Sequence, residues 1–598
     1  MKKYALLIAI SFFCNYFLFA THYEITGTCK LENQTKCDSI SISLNRTIPS
    51  ALNYIFSTDS IGNYSFTVEE GIYNIVYSKN GYIQEVFSEI QVYSNLTRDN
   101  IILGSIGLNG NINGVLTKGI YKVGASLSIP FGDTLTIEPD VTLQFEENAE
   151  LIIQGLLIVQ GTYNDSIIFT EYTKGKGWGG IKFNGGSDST SILSYCLVER
   201  SKNSGISIIN SSPTIQNSDI RYNSAIESDQ DIIPAGIILN NSGSHLNNVL
   251  VYKNELIPNK PRSVFHGAAG IGCYKGNPTI QNSKIYDNLS EIWTGYSAGG
   301  LNCIGNCHLD ISNSLIYGNS GHYGGGICCN SDGLTARNLT ITQNEATMGG
   351  GIFISVSDPK IYNSIIANNF CNSYGRLLSF SGSLNSQPKP TFQNCLFSLK
   401  PDSPVGLPDF YSDVNLSQNI KYFLNLVTTN VNGVDCDPYY NILGFPLFVD
   451  SLADFKLNQH SPCIDAGNKD FVFGTYDLAG NERIANGHFL PQSYLDIGAY
   501  EFNGEETTQT SKPILFNKMQ SESVQIVPNP VDNSFCLKLE GKQREIEFSL
   551  LSIDGKIMIH RQKAELNSQI NISNLKSGMY MIVLTDNEKS ITTKLIKR

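Results

Sequence analysis

The segment NSLIYGNSGHYGGGICC at residues 313–329 returns 25 positions later as NLTITQNEATMGGGIFI at residues 338–354. Both read N-x5-N-x4-GGGI. The asparagine pair of this pattern recurs along the chain, at Asn217/Asn223, Asn248/Asn254, Asn282/Asn288, Asn313/Asn319, Asn338/Asn344 and Asn363/Asn369. Before each pair stands an aliphatic residue: Ile206, Ile237, Ile271, Leu301, Ile327 and Ile352. The spacing from that residue to the first Asn is 11, 11, 11, 12, 11 and 11. A unit this short cannot bury an apolar face alone, so copies must stack on one another. The stretches between are short, alternating and β-branched, which predicts coils of short strands.

Stacking explains the residue choices. Asparagine tolerates the left-handed backbone of a turn, and its amide can bond the amide of the next coil, so an asparagine ladder is expected, with Asn282 buried between Asn248 and Asn313. The glycines suit sharp turns. Two residues after each aliphatic come Ile208, Leu239, Cys273, Cys303, Cys329 and Ile354. Alternation puts these on the same inward face, so the cysteines are expected as buried apolar residues. His322 of the first copy becomes Thr347 in the second while the glycines persist. That points to scaffold and away from a metal or phosphate loop.

A net charge of -12 and the absence of a basic stripe exclude nucleic acid as the main partner. The 598 residues exceed one ordinary domain. The start, MKKYALLIAISFFCNYFLFA, places two lysines before an apolar run and reads as a secretory signal peptide over residues 1–20. The 14 cysteines are too scattered for a disulfide scaffold, although Cys29 and Cys37 lie close enough to pair after export.

Residues 106–502 resemble the right-handed parallel β-helix family, the pectate-lyase-like superfamily. The entry GDTLTIEPDVTLQF, the motif GWGGIKF and the exit SPCIDAG, YDLAGNERI and DIGAYEF carry that likeness. In the exit, Asp465, Asp477, Arg483, Asp496 and Glu501 are expected to form an ion-pair cluster that closes the solenoid. Residues 21–105, with TDSIGNYSFTVEEGIYNIVYSKNGY, resemble a carboxypeptidase-regulatory-like β-sandwich. The polar stretch 503–522 reads as a linker. Residues 523–598, with VPNPVDNSFCLKL and INISNLKSGMYMIVL, are similar to the type A sorting domain of the type IX secretion system of Bacteroidetes-type bacteria. That likeness implies Sec export, passage across the outer membrane, loss of the domain, and release or tethering at the cell surface. The expected architecture is all-β, a parallel β-helix flanked by two small β-sandwiches, acting as a monomer.

The superfamily contains lyases, hydrolases and adhesins, and its fold does not choose among them. The motifs of β-helix polygalacturonases are absent from the sequence. The local signal is loop length. From the second Asn of a pair to the next aliphatic there are 14, 17 and 13 positions in three coils, then 8 and 8. The long loops gather Glu227, Asp229, Asp231, Lys260, Arg262, His266, Glu291, Trp293 and Tyr296. Insertions at one corner of stacked coils lie side by side and often build a binding face. Trp293, Tyr296 and His266 are candidates for substrate binding, the aromatics by stacking on sugar rings. Glu227, Asp229 and Asp231 offer hard oxygens for Ca²⁺. Lys260 or Arg262 suits pairing with a uronate, or the base of an elimination. The expected partner is a polysaccharide. Glycan binding or adhesion is the leading expectation, and lyase action on an acidic glycan the alternative.

Overall fold

The structure is a computed structural model. It describes residues 21–226 except 33, then 234–258, 266–292, 295–330, 333–382, 388–398, 409–412, 425–451, 454–484 and 494–502. In the C-terminal part it describes 525–527, 531–538, 545–552, 557–565, 569–586 and 589–597. Strands dominate, and the only helical element among these residues is a 3₁₀ turn at Lys469–Phe471. No helix among them is long and apolar enough to cross a membrane. The chain divides into two compact units, residues 1–179 with 194–200, and residues 180–193 with 201–598.

The first unit begins with a β-sandwich. His22–Leu31 pairs with Asn63–Glu69 and Leu96–Leu103. Ser41–Ile48 pairs with Leu52–Ser57 and Gly71–Ser78, and the last of these pairs with Glu85–Val92. Burial alternates residue by residue along Gly71–Ser78, with Tyr73, Ile75 and Tyr77 turned inward, where they meet Ile25, Ile42 and Val68. Chain direction then changes from antiparallel pairing to parallel coils. Gly119–Ile129 pairs in parallel with Val141–Phe145, which pairs with Ile167–Glu171, which pairs with Cys196–Glu199. Trp178 fills the coil interior, stacked on Phe145 at 4.3 Å, and donates its indole N–H to Glu199 O at 2.8 Å. The sandwich and the first coil share a backbone bond, from Ile106 N to Gly81 O. Gly81 has φ +84°, and a Cβ there would lie 2.0 Å from Ile120 N, so no other residue fits this junction.

The second unit continues as a parallel β-helix. One face stacks Ile206–Ile209, Ile237–Asn240, Ile271–Cys273, Leu301–Ile304, Ile327–Asn330 and Ile352–Ser355 in register. The expected inward positions are inward: Ile208, Leu239, Cys273, Cys303, Cys329 and Ile354 are all fully buried. Each buried aliphatic side chain of this kind contributes roughly 1.5–3 kcal/mol. A second face carries Thr214–Arg221, His245–Tyr252, Asp310–Tyr317 and Thr335–Thr342. The third is a six-stranded parallel sheet running from Ser224–Ile226 to Phe370–Tyr374.

Both asparagines of each pair have structural work, and it differs from the sequence expectation. The first Asn bends its strand in the left-handed region, with φ between 46 and 53° at Asn217, Asn248, Asn282, Asn313, Asn338 and Asn363. Asn248 is exposed and Asn282 half-buried, so the ladder buried throughout is not theirs. It belongs to the second Asn. Asn223, Asn254, Asn288, Asn319 and Asn344 each donate Nδ2 to Oδ1 of the next, at 2.9–3.0 Å, ending on Asn369. All six are at most 4 % exposed. The amide at the inner corner has no water to turn to, so only the neighbouring coil can satisfy it.

The exit segment folds back along the second face. Ala499 N bonds Thr340 Oγ1, Asn468 N bonds Asn363 Oδ1, and Asn313 Nδ2 bonds Tyr476 O. Its charged cluster is structural, but it lies along the second face, where the sequence predicts a closure of the solenoid's end. Arg483 is 1 % exposed, pairs with Glu501 at 2.6 Å and also bonds Gly498 O, Ala499 O and Asn313 Oδ1. Asp496 accepts the backbone N–H groups of Asp465 and Phe502, and Asp477 accepts that of Glu501.

At the C-terminus a further sandwich packs Phe535, Leu537, Phe548, Leu550, Ile582 and Leu595 between a sheet built on Ser534–Lys538 and one built on Glu545–Ser552 and Gly578–Asp586.

Candidate functional site

The long loops leave the solenoid at one corner. Their roots are the first three strands of the six-stranded sheet, with Ser224 opposite Glu255 and Glu255 opposite Leu289. Glu227, Asp229, Asp231, Lys260, Arg262 and Trp293 lie outside the described residues. His266 and Tyr296 do not. They occupy paired register positions in the parallel strands His266–Ala268 and Tyr296–Ala298. Tyr296 is half-buried, its hydroxyl 3.0 Å from Ser355 Oγ and its ring 5.9–6.0 Å from those of Tyr323 and Phe353. Burial first, then the charge of Glu291, raises the Glu255 carboxyl above the usual range.

His322 is scaffold. Its Nδ1 lies 3.1 Å from Thr347 Oγ1, its ring packs on Tyr323, and burial pushes its pKa down. Among the described residues no cysteine is in a disulfide, Cys29 and Cys37 included. Among the described residues no group of His, Cys, Asp and Glu is arranged to hold a metal.

Around the corner from the loops, on the second face, is a feature the sequence reading missed. Arg221, Tyr252, Tyr286 and Tyr317 occupy one register position in successive coils. The rings of Tyr252 and Tyr286 stack at 4.7 Å and 6°, those of Tyr286 and Tyr317 at 4.9 Å and 4°. Rings stacked along the solenoid axis cover each other's faces. What remains for solvent is a row of rims and hydroxyls at the coil spacing. Arg221 Nη1 bonds the Tyr252 hydroxyl at 3.0 Å, and Tyr222 lies edge-on at the open end. At the other end the exit segment forms a wall, with Phe455 5.1 Å from Tyr317.

Beside the row, two positions back along the strands, lie Asp219, Leu250, Lys284 and Leu315. Burial raises the Asp219 carboxyl, against Arg221 and the Tyr252 hydroxyl. Burial and then Lys456 on the wall lower the Lys284 ammonium. Tyr317 is pushed up to about 12 by burial and then Asp287. A half-buried acid and a half-buried base therefore flank a strip of phenol hydroxyls that can both donate and accept. The sequence held a signal for it. A tyrosine stands two places before the second Asn in three successive copies, and Thr342 and Ala367 replace it where the exit segment covers the face.

The family model of the secretion system C-terminal sorting domain matches residues 525–598. The C-terminal sandwich carries the sorting signal of type IX secretion. The protein is exported to the cell surface or the extracellular space, and the type IX machinery is a partner. No curated protein matches the chain. No solved structure matches it either.

Proposed function

We propose that this exported β-helix protein binds polysaccharide at the cell surface or in the medium, with the glycan lying along the tyrosine row. The carrying observation is the row itself, three stacked tyrosines at coil spacing on the open part of a face whose other part the exit segment covers. A polymer with repeating hydroxyls can meet hydroxyls that repeat along the solenoid. Past the adjacent corner, the loops add Trp293 as a stacking platform, Lys260 and Arg262 for a uronate carboxylate, and Glu227, Asp229 and Asp231 for Ca²⁺, with His266 and Tyr296 at their base.

A second reading, β-elimination on a uronate glycan, is favoured by the lowered pKa of Lys284, which suits a general base. Affinity electrophoresis against neutral and uronate polysaccharides tests binding, and ultraviolet absorbance of unsaturated products tests elimination. Tyr286→Ala should weaken retention by the polysaccharide about tenfold, consistent with loss of a stacked, hydrogen-bonding residue. Retention equal to the parent would remove the row from the proposal. Product absorbance that vanishes in Lys284→Met while retention survives would establish the lyase reading.

A further inference from the structure

Inside the second unit, thiols gather at one level of the solenoid. Cys273, Cys303 and Cys329 hold one inward register position in three successive coils, and all three are fully buried. The same column carries Ile208 and Leu239 on one side and Ile354 on the other. Cysteine is smaller than isoleucine or leucine, so three in a row leave room in an interior that is otherwise close-packed. A fourth thiol stands beside that room. Cys307 is fully buried in the turn after Cys303, and its backbone bridges to Gly276 in the coil of Cys273. In the next coil comes Gly333, where a Cβ would lie 2.4 Å from Cys307 O. Glycine on both sides leaves this corner clear for the Cys307 side chain. Hydrogen bonding to Cys273 is the largest of the causes that move the Cys307 thiol, and it pushes the thiol up. We infer that Cys273 and Cys307 join as a disulfide in the exported protein.

The sorting domain supplies the setting, because export takes the chain out of the reducing cytoplasm. The two thiols give up two protons and two electrons and form one S–S bond. The oxidant is the disulfide of a thiol oxidoreductase outside the cytoplasm, which exchange reduces to its dithiol. Exchange takes place while the coils assemble, since a closed interior admits no second protein. Once the coils close, the same burial keeps reductants from the bond. Cys303 is the competing partner. It stands four positions before Cys307 in the same turn, so a bond there ties no coil to another. Cys273 is 34 positions away, and its bond joins the coils before and after the long loop at residues 289–300. That bond constrains the unfolded chain far more, and it fixes the base on which Tyr296 stands. It does not rest on the tyrosine row.

The test is a disulfide map of protein recovered from the cell surface and the medium. The protein is alkylated in denaturant without reductant, digested, and read by tandem mass spectrometry. The peptide holding Cys273 should be linked to the one holding Cys307, two hydrogens lighter than the separate thiols, while Cys303 and Cys329 carry the alkyl group. In Cys273→Ser the link should vanish and Cys307 should become alkylated. Parent protein refolded with an oxidised thiol buffer should melt about 5 °C above parent refolded with reductant, and Cys307→Ser should show no such difference. Alkylation of both Cys273 and Cys307 in the recovered parent, a link from Cys307 to Cys303 or Cys329, or a melting temperature of the parent that ignores the refolding buffer would each overturn the inference.

Discussion

Asn288 uses every hydrogen-bonding position of its side chain. Oδ1 accepts from Asn254 N and Nδ2, and Nδ2 donates to Val251 O and to Asn319 Oδ1. Asn288→Ala should therefore cost about 3 kcal/mol, since several buried groups lose partners at once. Asn282→Ala should cost about 1 kcal/mol, because Asn282 is half-buried and water can replace what is lost. Chemical denaturation of the two variants checks the order, and equal midpoints would place the ladder elsewhere. The sequence displayed both asparagines with equal regularity. Recurrence marks a position as structural but does not tell a turn outside the wall from a bond inside it. Asp496 supplies a pH-dependent counterpart. Burial first, then Asp465, raises its carboxyl from its ordinary value of 3.8 to about 7, against Arg483 and two backbone N–H groups. A folded pKa above the unfolded one means that the native state holds the proton more tightly. This group's contribution to stability is full below about pH 4 and is lost as pH rises through about 7. Glu501 shifts the same way, burial first and then Asp496. Asp496→Asn should flatten the fall in melting temperature between pH 5 and 8, and an unchanged slope would show that the proton sits elsewhere.

At the scale of elements, the strands were legible because coil spacing, aliphatic position and inward cysteine all follow one period. The face that carries a ligand was not legible in the same way. Tyr252, Tyr286 and Tyr317 point outward, and in one dimension an outward tyrosine looks like any solvated residue. Its meaning appears only when register sets the three rings on one another and the exit segment ends beside Tyr317. Loop length did indicate one corner, and the roots of those loops do stand side by side. Asp231→Ala should abolish any Ca²⁺ dependence of glycan retention, measured with and without EDTA, if the loop acids hold the ion. His322→Ala should change neither retention nor Ca²⁺ response, because its ring nitrogen is engaged with Thr347.

At the scale of the whole molecule, the C-terminal sandwich was the plainest signal, since VPNP and SGMYMIVL are local motifs that need no three-dimensional context. Intact mass of the protein recovered from the cell surface and the medium should show residues 525–598 removed. Full-length mass there would mean that sorting occurs without cleavage. The exit segment has a consequence in time. Its bonds to the coils join residues 159 to 170 positions apart, at Thr340 with Ala499, Asn313 with Tyr476 and Asn313 with Arg483. Neighbouring coils, by contrast, can zip together as soon as they exist. The cover over Leu315, Ile365 and Leu396 therefore arrives last, after residue 502 has emerged, and until then the middle of a nearly finished solenoid is its stickiest part. A ribosome or translocon that pauses late, with all the coils in place and the cover still inside, leaves the chain more exposed to aggregation than one that pauses early.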